Sequence, residues 1–596
     1  MSGRDGARAT TERAASREAY FGDLHIHTQY SFDSFIYNVR TTPDDAYRYA
    51  KGEAIDLAGG SKIRISGAPL DFIAVTDHAE FLGVMPGAND PADPLSKTPV
   101  AESLRTGTQE ERSKAWATIG GALVAGQRDP AIDDVPALRA AWSRIVEAAE
   151  RHYEPGRLTT FAAYEYTSAP DRQNLHRNVI FRGRAPEQPF SALDSQNPEE
   201  LWRWLDGLRA QGIEGIAIPH NMNGSDGRMF QRTTFDGGEI DREWAELRIR
   251  NEPIVEMSQV KGTSETHPLL SPNDEWAGFE QFPYRIGSNE PITVYAGGFV
   301  RDALLAGLQL EGAVGANPYK FGMIGATDTH NSAGPFEEAR YFGKLGLLDN
   351  TFRSRGGTTP PNPAEVPSYD PKLPPVPGRW SAAGLAGVWA EDNSREAIFD
   401  AMRRKETFAT SGPRMKVRFF AGTGFDETIL SARDSVRAAY AGGVSMGGDL
   451  EAGEAAPAFF AWALRDPEAA WLDRLQIVKG WLENGEHREA VYDVACEGGA
   501  VPDPATHRCP QTRGSVDPAT CAISSEVGAS ELRAVWRDPD YRPGTRAFYY
   551  VRVLEVPTCR WSTWDAIRNG REPHPALART IQERAWSSPI WLTPRS

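Results

Sequence analysis

Nowhere in the 596 residues is there a run approaching the ~18–20 apolar side chains that a membrane-spanning helix requires. Positive charge is also in short supply. Against 65 Lys and Arg stand 81 Asp and Glu, a formal net charge of −16. Nucleic acid is therefore not expected as a main partner, because a phosphate backbone calls for a basic face. An anionic substrate would have to be drawn in locally, by bound cations rather than by the overall field. Cysteine is rare: Cys496, Cys509, Cys521 and Cys559 all lie beyond residue 495, and no two have the close spacing of a Cys-x-x-Cys zinc pair. Four reduced thiols and one or two disulfides bracing the loop around Cys509 and Cys521 both stay open, the second implying an oxidising compartment. Met1 to Tyr20 lacks the apolar segment of a signal peptide and reads as a disordered lead-in. A soluble protein is expected, cytoplasmic or, as a processed precursor, periplasmic. A homo-oligomer is left open.

From Tyr20 to about Lys344, short apolar runs alternate with amphipathic stretches. Leu70–Thr76, Leu158–Tyr166, Asn178–Phe181, Ile213–Ile218, Pro253–Met257 and Met323–Ala326 read as buried strands. Leu138, Trp142, Ile145 and Val146 share one face of a helix starting near Pro136, and Pro198 to Leu208 repeats the pattern. Strand, helix, strand is the rhythm of a parallel α/β sheet or barrel. Residues 83–134 interrupt it, as a lid or as a surface elaboration. Prolines crowd 353–379, a stiff linker or strap, and an amphipathic helix follows over Asn393–Arg403. Beyond Met415 the texture becomes one of alternating short strands, which suggests an all-β sandwich. The expected organisation is a lead-in at 1–19, an α/β unit at 20–345, a linker and helix at 346–414, and a β-rich unit at 415–596. His487, His507 and His574 lie in polar loops of this last unit and suggest no site.

Six of the eleven histidines mark the ends of the apolar runs before residue 331: His25, His27, His78, His176, His220 and His330. Asp33, Glu165 and Asp328 accompany them. Imidazoles with carboxylates form the ligand set of borderline divalent metals. Residues two apart on an extended strand face the same way, so His25 with His27, and Asp328 with His330, can enter one pocket. Strand C-terminal ends share one face in parallel α/β folds, so positions far apart in sequence can converge. A lone histidine at a strand end is ordinarily a hydrogen-bonded or surface residue. Six in one ordered series, with acids at ligand spacing, favour a metal site.

The ordered set His25-x-His27, Asp33, Thr-Asp-His78, Glu165, His176, His220 and Asp328-x-His330 resembles the motifs of the PHP superfamily, the polymerase and histidinol phosphatase hydrolases. The context Tyr20-Phe-Gly-Asp-Leu-His, with a Pro-rich segment and β-rich tail, is similar to a large bacterial branch of it. The resemblance covers about residues 20–345. It implies a distorted (β/α)7 barrel carrying two or three divalent ions (Zn, Mn or Fe). One ion would be held by His25, His27, Glu165 and Asp328, a second by His176 and His220 with Glu165 bridging, a third by Asp33, His78 and His330. Asp77 and Glu256 suit hydrogen bonds to ligand rings.

Such a site implies a hydrolase acting on a small anionic ester, with a metal-bridged hydroxide attacking phosphorus in line. Glu165, Asp328 and His330 would be its reacting-centre residues, with Arg177 on a non-bridging oxygen. Arg172, Lys261 and Arg301 are further cation candidates, Asn221 and Asn331 are candidate donors, and Arg414 has a weaker claim. Phosphate monoesters are slightly preferred over diesters. A sulfate ester, amide or lactone at the same metals is the close alternative, and a non-catalytic metal- or carbohydrate-binding protein is the alternative from another class.

Overall fold

The structure, a computed structural model, describes residues 13–128, 132–288, 290–524 and 527–595. Eight strands of three or more residues run through its first half: β1 (Glu18–Ile26), β2 (Phe72–Val75), β3 (Thr159–Phe161), β4 (Ala163–Tyr166), β5 (Arg177–Phe181), β6 (Gly215–Pro219), β7 (Ile254–Gln259) and β8 (Gly322–Gly325). Strands β2 to β8 are buried throughout, as expected of strands covered on both faces. One apolar cluster draws on all eight, through Leu24, Phe72, Phe161, Ala163, Ile180, Ile216, Ile254 and Ile324.

Helices separate the later strands. A short helix α1 (Phe32–Ile36) follows β1, and α2 (Gln109–Val124) and α3 (Val135–His152) lie between β2 and β3. Then come α4 (Pro198–Ala210) before β6, α5 (Arg242–Asn251) before β7 and α6 (Val300–Val314) before β8. Their starts are written locally: Asp134, Asn197 and Asp241 each accept a backbone N–H in the first turn of α3, α4 and α5. Among the described residues no helix is long and apolar enough to cross a membrane.

The pairing is mixed rather than wholly parallel. Strands β1, β2 and β3 are parallel neighbours, as are β7 and β8, but β5 runs antiparallel to both β4 and β6. Only residues 167–176 join β4 to β5, too few for a crossover helix, so the chain has to turn back. Among the described residues the ladders stay in separate sheets and do not close into a ring. Single bridges tie their ends, Ile26 to Thr329 and His78 to Glu165.

The other edge of β1 pairs antiparallel with β9 (Leu385–Ala390), which pairs with β10 (Thr407–Thr410). Gly325, at the end of β8, lies where a Cβ would come within 2.6 Å of Thr410 O and 2.7 Å of Leu385 O, so only glycine fits beneath these strands. Helix α7 (Arg395–Arg404) packs Ile398, Phe399 and Met402 into the eight-strand cluster.

Beyond 415 strands do recur, among them β11 (Lys416–Gly422), β12 (Ala458–Leu464), β13 (Leu472–Glu483), β14 (Glu486–Cys496), β15 (Glu531–Arg537), β16 (Ala547–Glu555), β17 (Arg584–Ser587) and β18 (Ile590–Pro594). They form two sheets, packed through Phe419, Phe459, Leu475, Ile477 and Tyr549. One of these is the sheet of β1 itself, eleven-stranded and continuous through β9, β10 and β17. The ladder therefore crosses residue 415 without a break, because β10 offers β17 an unpaired edge.

Two local expectations change and one open choice closes. Of the lead-in, residues 1–12 lie outside the described residues, while β1 already begins at Glu18 and Arg17 pairs with Glu391 and Glu406. The segment 83–134 is largely helical and belongs to a core, with Leu104, Ala115, Ile119 and Leu123 buried in one cluster with Phe35, Phe81 and Trp142. The cysteines are not thiols: Cys496 bonds Cys509, and Cys521 bonds Cys559.

Charge also joins the two halves. Arg301 on α6 reaches Glu265 at 2.7 Å and Asp274 at 2.8 Å, and Arg552 on β16 reaches the same acids at 3.0 and 2.8 Å. Tyr550 and Trp586 donate to Glu265 at 2.7 and 2.8 Å, and all six side chains are buried. Losing one member leaves an uncompensated buried charge, so Arg552→Met should cost about 3–5 kcal/mol. Denaturant midpoints compared at constant slope measure that loss.

Candidate metal centre

The nine sequence-expected ligands meet at one end of the strands. His25 and His27 stand at the end of β1, where its register against β2 shifts between Asp23 and Ile26. Irregularities of this kind commonly re-aim side chains beside a site. Asp33 lies on α1, His78 follows β2, Glu165 lies in β4 and His220 follows β6. His176 precedes β5 instead of following it. Since β5 is the inverted strand, its beginning lies at the same end as the finishes of its neighbours. Asp328 and His330 follow β8, with Asp328 in a left-handed conformation, φ 54°. Asp328 N donates to His25 O at 2.9 Å and His27 N to Thr329 O at 2.8 Å, which fastens this loop to β1.

Glu165 is the hub. Its Oε1 lies 2.6 Å from His176 Nδ1 and 3.1 Å from His220 Nε2. Its Oε2 lies 3.1 Å from His27 Nε2 and 3.3 Å from both His25 Nε2 and His78 Nδ1. Asp328 Oδ1 lies 3.5 Å from His25 Nε2 and 3.6 Å from His27 Nε2. Asp33 Oδ2 lies 2.8 Å from His330 Nε2 and 3.6 Å from His78 Nε2.

Four ligand triads within this cluster can each hold an ion: His25, His27 and Glu165; Glu165, His176 and His220; His27, His78 and His330; and His25, His220 and Glu256. The donors fit such an ion. His27 Nε2 and Asp328 Oδ1, facing each other, are buried atoms that no hydrogen bond satisfies. Polar groups left so are costly unless something binds them.

Polar partners orient the rings. His25 Nδ1 lies 2.9 Å from Glu256 Oε2, His27 Nδ1 2.8 Å from Ser31 Oγ, and His78 Nδ1 2.7 Å from Thr167 Oγ1. Asp77 is not a ligand: it accepts from the hydroxyls of Thr28 and Ser31, both at 2.7 Å. Partners of this type fix ring tautomer and direction.

Burial and charge together set the protonation states. Burial opposes ionisation of Glu165, but the surrounding imidazoles, His78 first, overcome it and hold the carboxyl well below its ordinary range. Asp33 is held down in the same way, with burial opposed chiefly by His330. Burial and then the charge of His78 push His27 down to about 3, and burial takes His176 down to about 4 against the pull of Glu165. His25 and His78 go the other way, since Glu256 and Glu165 raise them against burial; a metal, which needs neutral imidazoles beside ionised carboxylates, would compete with those protons.

The cation candidates separate. Lys261 belongs to the site, with Nζ on Asp328 Oδ2. Arg177 does not: as the neighbour of His176 on an extended strand it faces the other way, pairing with Glu252 at 2.8 Å. Arg301 serves the charge network above, Arg172 is exposed, and Arg414 donates to the backbone of Ala68 and Pro69. Asn221 donates to Asp328 Oδ2 at 3.4 Å, whereas Asn331 braces the backbone of Gly343 and Gly346. Two contributors were missed. Gln259 donates to Asp328 Oδ2 at 2.8 Å, and Lys344 Nζ lies 2.8 Å from His330 Nδ1 and 3.8 Å from Asp328 Oδ1. Gln259 ends β7 as the ligands end their strands, a usable signal. Lys344 sits in a loop and had none.

Among known families, the model described as "Protein of unknown function (DUF3604)" matches residues 14–594. No curated protein matches. Among solved structures, a two-domain protein from Bacteroides vulgatus ATCC 8482, containing a predicted PHP-like metal-dependent phosphoesterase, is similar at 10% identity and a TM-score of 0.29, over 95% of each chain.

Glu256→Gln tests the ring-orienting bond. Metal affinity, read by Mn²⁺ or Zn²⁺ titration, should weaken about 10- to 100-fold while thermal unfolding keeps its cooperativity. An unchanged titration would show that the carboxylate plays no part in ligand orientation.

Proposed function

The chain belongs to the DUF3604 family, and from its buried ligand cluster we propose that it is a metal-dependent hydrolase cleaving phosphoesters, monoesters in preference to diesters. The observation that carries this reading is Glu165, on which five imidazoles converge, with three on one oxygen and two on the other. A carboxylate so placed can join two ion sites, one per oxygen. His25, His27, Glu165 and Asp328 would hold one ion, Glu165, His176 and His220 a second, and Asp33, His78 and His330 a third. The all-nitrogen-and-oxygen donor set suits zinc, manganese or iron.

Bound divalent ions supply charge neutralisation and a water of lowered pKa. The chain's own groups supply position. Gln259 and Asn221 fix Asp328, while Ser31, Thr167 and Glu256 fix the rings of His27, His78 and His25. The ligands are buried, and among them Asp33, His78 and His176 keep the most exposure, at 8%, 6% and 9%. Exclusion of bulk water strengthens each electrostatic contact inside.

The accompanying fold reading is a distorted (β/α)7 barrel of PHP type over residues 20–345, with a β-rich unit at 415–596. The apolar cluster common to β1–β8 and the bridge from Ile26 to Thr329 support the barrel.

Chromogenic phosphate mono- and diesters and a sulfate ester, assayed with Mn²⁺ or Zn²⁺ and then with chelator, test the proposal. Monoester turnover should lead and should vanish on chelation. His27→Ala and Glu165→Ala should each lower kcat/KM by about 10²–10³-fold or more. Faster sulfate ester turnover would move the substrate class, and no turnover of any ester by fully metallated protein would sink the hydrolase reading.

A further inference from the structure

Two ammonium groups share the Asp328 side of the cluster. Lys261 follows β7 and places Nζ on Asp328 Oδ2. Lys344 comes from the loop beyond His330 and places Nζ 2.8 Å from His330 Nδ1 and 3.8 Å from Asp328 Oδ1. Their side chains are only 14% and 4% exposed, and Asp328 is the one carboxylate that either pairs with among the described residues. Burial lowers both amines from the ordinary lysine range, Lys344 to about 8, while Glu165 and Asp33 pull them back up, so the pair stands among several acids in a chain of net charge −16.

Both lysines also lean on atoms that a metal ion would use. An ion held by Asp328 draws on the lone pairs that Lys261 contacts. An ion on His330 Nε2 requires the ring proton on Nδ1, where Asp328 O, at 3.1 Å, is the natural acceptor. That tautomer gives Lys344 no lone pair to donate to at Nδ1. Each buried ammonium then needs another acceptor, since an unpaired one is expensive.

Resting on the hydrolase reading above, we infer that Lys261 and Lys344 form a two-point clamp for the terminal phosphoryl group of a dianionic monoester. Lys261 keeps 14% of its side chain exposed, while Lys344 lies deeper at 4%, its Nζ 5.8 Å from the Trp380 ring centroid. A terminal phosphoryl group offers three oxygens and two charges to such a pair. A diester offers two non-bridging oxygens and one charge, so it has less to give each amine. Lysine suits this task as a point charge with freely rotating donors.

Calorimetric titration of the full-length, Mn²⁺-loaded protein with inorganic phosphate, methyl phosphate and dimethyl phosphate tests the clamp without reference to turnover. Phosphate and methyl phosphate should bind, and dimethyl phosphate at least tenfold more weakly. Lys261→Met and Lys344→Met should each weaken phosphate binding tenfold or more with bound manganese per chain unchanged. The clamp is overturned if phosphate does not bind the wild-type protein, if the metal-loaded double variant binds it within twofold of wild type, or if dimethyl phosphate matches methyl phosphate. The last comparison needs no variant, so misfolding of a lysine mutant cannot shield the proposal. Phosphate binding with no ester hydrolysed would sink the hydrolase reading and leave the clamp standing; hydrolysis with phosphate binding indifferent to both lysines would do the reverse.

Discussion

The carboxylate of Glu165 is the contact on which the site depends, because five imidazoles each place a nitrogen within 3.3 Å of it. Its two oxygens take their contacts from opposite sides: His176 and His220 on Oε1, and His25, His27 and His78 on Oε2. Six rings and three acids so deeply buried would be unstable if each kept the charge it carries in water. Here burial drives His27 and His176 toward neutrality, while the ring of imidazoles keeps Glu165 and Asp33 ionised. His25 and His78 are instead raised by Glu256 and Glu165, so the acids share their charge with those two rings.

Holding that arrangement requires a stiff frame, and β1 provides much of it. The strand bonds β2 on one edge and β9 on the other, so the backbone carrying His25 and His27 is pinned on both sides. Asp23, two residues before His25, accepts from Thr327 N at 3.1 Å and so ties the Asp328 loop to the same strand. Because β9 and β10 lead the ladder into the strands beyond 415, deformation of the late sheet would be felt at β1. The buried acids and arginines around Glu265 and Asp274 make a second link between the same halves.

How much of this was legible follows from which signals are local. His25, His27, His78, His220, Asp328 and His330 could be read because each closes an apolar run, and a strand end is marked by composition alone. His176 begins a run instead. It was readable as a ligand only from the ordered motif, since nothing in the sequence declares that β5 is inverted. Arg177 failed for a reason the sequence does contain: adjacent residues on a strand face opposite ways, so the neighbour of a ligand is the residue least able to join it. Lys344 was invisible because a loop has no periodicity from which to infer direction. The late strands were legible from alternation, but their continuity with β1 was not. Pairing partners far apart in sequence are chosen by exposed edges, and an edge is a property of the assembled sheet.

Charge balance connects these points to what the site can accept. The chain as a whole repels anions, and a field averaged over its surface would slow the approach of a phosphate ester. Inside, lysines stand among the acids. Asp328 is shared among Lys261, Lys344, Gln259 and Asn221, more donors than one carboxylate can satisfy once a cation draws on it as well. Bound divalent cations would supply the positive charge that makes the site attractive while the exterior stayed acidic. A small anion reaching it would therefore exchange a repulsive surface for an attractive site. Such a gradient favours small, highly charged anions, for which the attraction is short-ranged and deep, over large polyanions that must also lie along the acidic exterior.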